Sequence, residues 1–247
     1  MRPDIIYEDE YMIACVKPAG VSSQPDRGNG EDLFTTVQNY LFDEKQKEQG
    51  NHEFKEQSEE PYLAVINRLD RPVGGIVIFA KTKKAAEKLS DMIQNREIKK
   101  YYQAVVTGVF EEPEGEFEDY IIQDRKSNIS RIVEAGTKDA KLASLHYEVL
   151  DELETDEGPR TLCLIELHTG RHHQIRCQLA YHKCPLWGDT KYNPLYQKKG
   201  KGKADHFKEI GLFACRMEFI HPITGEKITL HREPDGEAFD EMDQEDF

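Results

Sequence analysis

The stretch VINRLDRPVGGIVIFAK, residues 65–81, sets the reading of the fold, because two apolar runs enclose a charged corner. Ala64-Val65-Ile66 reads as the end of a buried strand, and Ile76-Val77-Ile78-Phe79-Ala80 as the next one; both runs are short and rich in β-branched or aromatic residues. Arg68, Asp70 and Arg71 occupy the corner between them. Asp70 could be a turn residue bonded to its own backbone, with the arginines as exposed partners. It could also be a reactive anion, since a carboxylate beside two guanidiniums stays charged and is fit to act as a nucleophile. The corner alone leaves both readings open.

Upstream, DIIYEDEYMIACVKPAGV reads as two short strands around Glu8-Asp9-Glu10, followed by a loop at Lys17-Pro18-Ala19-Gly20. Leu33, Val37 and Leu41 are spaced four apart, which predicts a helix over 31–42. Residues 43–60 are charged and almost free of apolar side chains, and are expected to form a mobile acidic excursion. Downstream, Thr82 is placed to cap a helix reaching about Asn95, with Ala86, Leu89 and Ile93 as its apolar stripe. A strand is expected at 99–108, and two or three more between about 117 and 150. A strand ending at Leu167 turns at Thr169-Gly170 into a helix carrying Ile175 and Leu179. PLWGDTKY reads as a tight loop, 196–206 as a basic glycine-spaced loop, and GLFACRMEFIHP and EKITL as closing strands. Strands come in runs rather than in alternation with helices, so the expected class is α+β with a large mixed, mostly antiparallel sheet flanked by helices and loops. The expected organisation is one domain over 1–231 and an acidic, disordered tail over 232–247.

A chain of 247 residues buries enough surface to fold without staples or a metal. No apolar run reaches the ~20 residues of a membrane span, and the start of the chain has no apolar signal core, so the expected compartment is the cytoplasm. The five cysteines are odd in number and lack CxxC spacing, which predicts reduced, packed thiols. The net charge of −14 argues against a polyanionic partner at first sight. The acids are concentrated in 43–60, 111–119, 148–157 and 232–247, which leaves the rest of the chain net basic and able to present a cationic face.

Other candidates follow the corner. In TGRHHQIR, Arg171, His172, His173 and Arg176 lie on the side of the helix opposite Ile175 and Leu179: either a solvated face or, for Arg176, a reach into a cleft. Histidines 168, 172 and 173 match no metal spacing. Tyr101 and Tyr102 are adjacent on a strand and so point to opposite faces, one into the core and one toward a cleft where a ring could stack on a base.

Together, KPAGV, RLDRPVGGIVIFAKT, KKYYQAVV, HTGRHHQIRCQLA and PLWGDTKY resemble the RluA-type pseudouridine synthase family in order and spacing, over roughly residues 4–230. The resemblance implies a pseudouridine synthase-like catalytic domain that isomerises a uridine in structured RNA, ribosomal or transfer, with no cofactor and no metal. It implies Asp70 of RLD as the nucleophile, Tyr102 of the Lys-x-Tyr pattern as the active-site tyrosine, and Arg176 as the cation paired with the aspartate. Arg68 would help evict the target base, and Lys17, Arg71, Lys81, Arg171, His173 and Lys191 would contact the RNA. The expected partner is RNA, met by a monomer. Asn67 stands where the family has histidine, His172 where it has a small hydroxyl residue, and Gln178 where a second histidine is common. A non-catalytic RNA-binding protein of the same fold, or a carboxylate-nucleophile hydrolase, are the competing readings.

Overall fold

A computed structural model describes residues 2–26, 30–48, 60–197 and 209–242. The expected loop at 196–206 therefore falls outside the described residues from 198 onward, as do 49–59 of the expected excursion and 243–247 of the tail. The elements are β1 (Asp4–Glu8), β2 (Met12–Lys17), α1 (Leu33–Glu48), β3 (Ala64–Val65), β4 (Gly74–Ala80), α2 (Lys83–Gln94), β5 (Lys99–Thr107), β6 (Glu114–Asp124), β7 (Ile129–Val133), β8 (Lys141–Thr155), β9 (Gly158–Leu167), α3 (Gln174–Tyr181), β10 (Leu212–Ile220) and β11 (Lys227–His231). The class is α+β, as the runs of strands suggested. The chain falls into two compact units rather than one: Met1–Ile98 with Met217–Arg232, and Lys99–Arg216 with Glu233–Phe247.

In the first unit the strand order is β1-β2-β4-β10, with β3 against β4 and β11 against β10. β2 and β4 run antiparallel, Met12 opposite Ala80 and Val16 opposite Ile76. Every residue of both strands is buried, which explains why they read as continuous apolar runs and not as alternating ones. Met12, Ala14, Ile76, Ile78 and Ala80 form one face and pack with Ala85 and Leu89 of α2. Each of the larger side chains among them, such as Ile76, Ile78 and Leu89, contributes about 1.5–3 kcal/mol. α2 starts where Thr82 Oγ1 accepts the Ala85 N–H at 3.2 Å, a cap worth ~1 kcal/mol. The other face carries Phe79, whose ring meets Phe34 of α1 at 6.4 Å between centroids.

α1 departs from expectation: it runs on through 43–48, where mobility was expected. Asp43-Glu44-Lys45-Gln46-Lys47-Glu48 is poor in apolar residues but rich in strong helix formers. Lys47 pairs with Glu44 at 2.7 Å, and Lys45 and Lys47 lie in the last turn, where cations suit the helix dipole.

In the second unit the order is β10-β5-β9-β8-β6-β7. β5–β9, β9–β8, β8–β6 and β6–β7 are all antiparallel. α3 packs Cys177 against Ile121 of β6 and Ala143 of β8. The expected disordered tail is ordered as far as 242: Ala238, Phe239 and Met242 are buried, and Glu241 pairs with Arg160 at 3.7 Å. Three apolar residues on one side of an otherwise acidic segment are enough to dock it. All five cysteines are buried and unbridged. Burial pushes Cys15, Cys177 and Cys215 up to about 12 and Cys184 to about 11, so none of these thiols is a nucleophile at neutral pH. Among the described residues, no helix is long and apolar enough to cross a membrane.

Candidate functional site

The corner after β3 belongs to the first unit and is fixed by its backbone. β3 pairs with Phe79 and Ala80 of β4 and then stops. Asn67 extends the ladder with its side chain, donating from Nδ2 to Ile76 O at 3.1 Å and accepting the Ile78 N–H at Oδ1 at 2.8 Å. A carboxamide can make both bonds at once, which gives the residue found in place of the family's histidine a structural task. Leu69 is buried, and Ser23 Oγ both donates to its carbonyl and accepts its N–H, each at 3.0 Å. The turn then closes through Val73 N–H to Asp70 O at 3.0 Å. Arg68 and Arg71 are therefore exposed on either side of a half-buried Asp70. Arg71 donates from Nε to Gly20 O at 2.8 Å, and Gly20 N–H returns a bond to Arg71 O at 2.8 Å.

Beneath this corner lies Lys17, with no exposed surface. Its ammonium donates to the carbonyls of Val21 at 2.7 Å, Pro18 at 2.9 Å and Arg71 at 3.3 Å. Burial pushes the group down from its ordinary value of 10.5 to about 7; the charge of Asp70 opposes that fall, and the Arg71 guanidinium adds to it. The expectation that Lys17 touches phosphate is corrected: all three donors are turned inward, and the residue binds the KPAGV loop to the RLD corner. Lys81 likewise has its ammonium engaged, by Glu8 Oε1 and by Asp9 O, both at 2.7 Å.

The second unit holds the other candidates. Tyr102 lies on β5 opposite Ile165 of β9. It and Tyr101 are both largely buried, 7% and 8% exposed. Tyr101 lies under the Arg216 guanidinium, 4.2 Å from carbon to ring centroid. Lys100, the lysine of the Lys-x-Tyr pattern, was given no role of its own in the sequence and shares a face of β5 with Tyr102. Its Nζ lies beside the Gly170 backbone, and burial pulls its ammonium below the ordinary value.

Arg176 is 4% exposed, on a helix buried from Gln174 to Leu179, so the reading of a solvated face fails. Its Nε donates to Asp189 Oδ2 at 2.7 Å and its Nη2 to Asp189 Oδ1 at 2.9 Å. This is the fork-on-fork geometry that guanidinium and carboxylate share. The Tyr192 ring centroid is 5.3 Å from the guanidinium carbon. Asp189 is wholly buried and was not among the candidates; the only sequence signal was its place after Gly188 in PLWGD.

The RNA-contact candidates of this unit divide. His173 takes a left-handed backbone (φ +50°) ahead of α3 and is buried. Its Nδ1 is 2.8 Å from the Tyr192 hydroxyl, and its ring stacks on His172 at 3.8 Å, which gives it an internal, structural role. Arg171 donates from Nε to Leu142 O at 2.8 Å and Lys191 from Nζ to Asn128 O at 3.0 Å; both are half-exposed. His172, in place of a small hydroxyl residue, contacts Ser130 Oγ at 2.9 Å and Asn128 Oδ1 at 3.0 Å, tying the β6–β7 turn to the start of α3. Gln178 donates to Asp119 Oδ2 at 2.8 Å, inside the unit.

Comparison with known proteins bears on these residues together. The RNA pseudouridylate synthase family profile matches residues 11–181. The chain is 30% identical over 239 residues to tRNA pseudouridine synthase C of Yersinia pestis, covering 92% of this chain and 84% of that one. It is 31% identical over 232 residues to ribosomal large subunit pseudouridine synthase D of Xanthomonas campestris, covering 91% of this chain and 64% of the relative. Human RNA pseudouridylate synthase domain containing 1 shares the fold, with a TM-score of 0.68 over 95% of this chain and 84% of that one at 19% identity. With the RLD corner, the Lys-x-Tyr strand and the HQIR helix all inside this similarity, the chain belongs to the RluA-type RNA pseudouridine synthases, enzymes that isomerise uridine to pseudouridine in RNA.

Proposed function

We propose that the chain acts on transfer RNA as a single polypeptide, with Asp70 as nucleophile, Tyr102 and Arg176 as its catalytic partners, and no cofactor. The choice of transfer RNA is supported by coverage. Relatives named tRNA pseudouridine synthase C are spanned over 84–91% of their length, whereas the ribosomal relatives extend well beyond the match. The observation that carries the catalytic assignment is the RLD corner, where Ser23, Lys17 and Asn67 fix the backbone on both sides of a carboxylate that stays partly open to solvent. A reactive group needs that kind of rigid mount.

In this reading the bond between uracil N1 and ribose C1′ breaks, the base turns, and C5 bonds to C1′ while the C5 proton departs and N1 gains one. Asp70 attacks ribose C1′ as the glycosidic bond opens, and the bond from its carboxylate oxygen to C1′ breaks again when C5 attacks that carbon. Arg176 provides the guanidinium partner of the nucleophile, Tyr102 stacks on the uracil and assists loss of the C5 proton, and Arg68 stabilises the extruded nucleotide, offsetting an unstacking cost of a few kcal/mol. Arg71, Arg171 and Lys191 meet phosphates, so affinity falls as salt rises.

Tritium release from transfer RNA carrying uridine labelled at C5 tests this reading. Release by the wild-type protein, abolished in Asp70→Asn, is expected. Binding without release would leave the non-catalytic reading standing, and release from ribosomal fragments alone would reassign the substrate.

A further inference from the structure

We propose that Asp189 is the positioning residue for Arg176, and that the 188–192 loop is built to hold that guanidinium in one orientation. The inference rests on the assignment of Arg176 to the isomerisation. Both members of the pair are buried, and two of the three guanidinium nitrogens are committed to Asp189, at 2.7 and 2.9 Å. The carboxylate is itself held: Oδ1 also accepts the backbone N–H of Lys191 at 2.9 Å and of Tyr192 at 3.2 Å. Tyr192 then covers one face of the guanidinium, while its hydroxyl accepts the Ser130 N–H at 2.7 Å. The loop reaches this position because Trp187 N–H bonds Val105 O on β5 at 2.9 Å and Gly188 turns the chain with φ +73°. A Cβ at Gly188 would lie 2.5 Å from the Glu209 carbonyl oxygen, so no other residue can make that turn without moving its neighbours.

The chemistry of the pair decides what Arg176 can contribute. Arginine and carboxylate together are neutral, so Arg176 does not act as a long-range cation. Its effect is directional, a donor held on a fixed bearing, and direction depends on Asp189. A lysine at 176 would lack the rigid planar fork of donors that sets the plane.

A double-mutant cycle in kcat, read by single-turnover tritium release with the folded fraction followed by circular dichroism, tests the idea. Asp189→Asn keeps the size of the side chain and an oxygen for the two backbone amides but turns N–H groups toward the guanidinium. It is expected to lower kcat about 100-fold, the scale of a misplacement near 1 Å, with KM changed by less than about 3-fold. Because Asp189 acts through Arg176, Asp189→Asn in an Arg176→Gln background is expected to cost no further turnover. A further loss of tenfold or more there would make Asp189 merely structural and overturn the inference. That comparison decides the matter even if the single Asp189→Asn protein does not fold, because the double variant replaces the ion pair by two neutral amides. If Arg176→Gln alone turns over at the wild-type rate, the assignment of Arg176 fails. If Arg176→Gln is impaired while Asp189→Asn is not, only the positioning role fails.

Discussion

The two units each bury a cation near their candidate residues, and they satisfy it in opposite ways. Lys17 is surrounded by three neutral carbonyls, whereas Arg176 meets a carboxylate edge to edge. Carbonyl dipoles can hold a compact ammonium but do not cancel its charge, and burial drags Lys17 down to about 7. The arginine keeps its charge and is neutralised in place by Asp189. Lysine thus serves as a rivet whose charge can be shed, and arginine as a plate whose orientation is fixed.

The contrast can be broken first at the ion pair. Asp189→Ala removes two hydrogen bonds and the paired charge from a buried guanidinium and is expected to destabilise the protein by about 3–5 kcal/mol, measured as a lower urea midpoint. The rivet responds to pH. The folded Lys17 binds its proton less tightly than the unfolded chain does, so between about pH 7 and 10.5 unfolding takes up a proton and stability rises with pH. The gain is expected to be on the order of a few kcal/mol. Urea titrations across that window check it, and the slope should flatten in Lys17→Met. A slope unchanged by the substitution would mean that the ammonium is not the group responsible. The smallest effect is at the clasp above the rivet. Ser23→Ala removes both bonds to Leu69 and is expected to cost about 1–3 kcal/mol, while lowering kcat more than it raises KM.

Much of this could be read from the residues. The strands on either side of the RLD corner, the Thr82 cap and the turn at Thr169-Gly170 announce themselves through apolar runs and turn chemistry. Side-chain destinations were less legible. Lys17 looks like any lysine at a loop edge, and only the fold shows three carbonyls closing on it. Arg176 read equally as part of a solvated face or as a reach into a cleft, because the burial of α3 from Gln174 to Leu179 comes from long-range packing against strands such as β6 and β7, which leaves no trace in helical spacing. Asp189 follows a glycine in a short loop, a context shared by countless surface turns. At 43–48 and 233–242 the error ran the other way. Acidic composition was read as mobility, but helix propensity in the first segment and three apolar residues in the second were enough to order them.

The division of the chain has a consequence for synthesis. The first unit needs residues 217–232 to complete its sheet, and the second is spelled out almost entirely before them. Residues 1–98 therefore leave the ribosome with the β10 edge of β4 uncovered and wait for more than a hundred further residues. At 5–20 residues per second that is roughly 6–24 seconds. Through that interval an apolar strand edge has no native partner, and the nascent chain depends on holding factors or on a slow-aggregating intermediate.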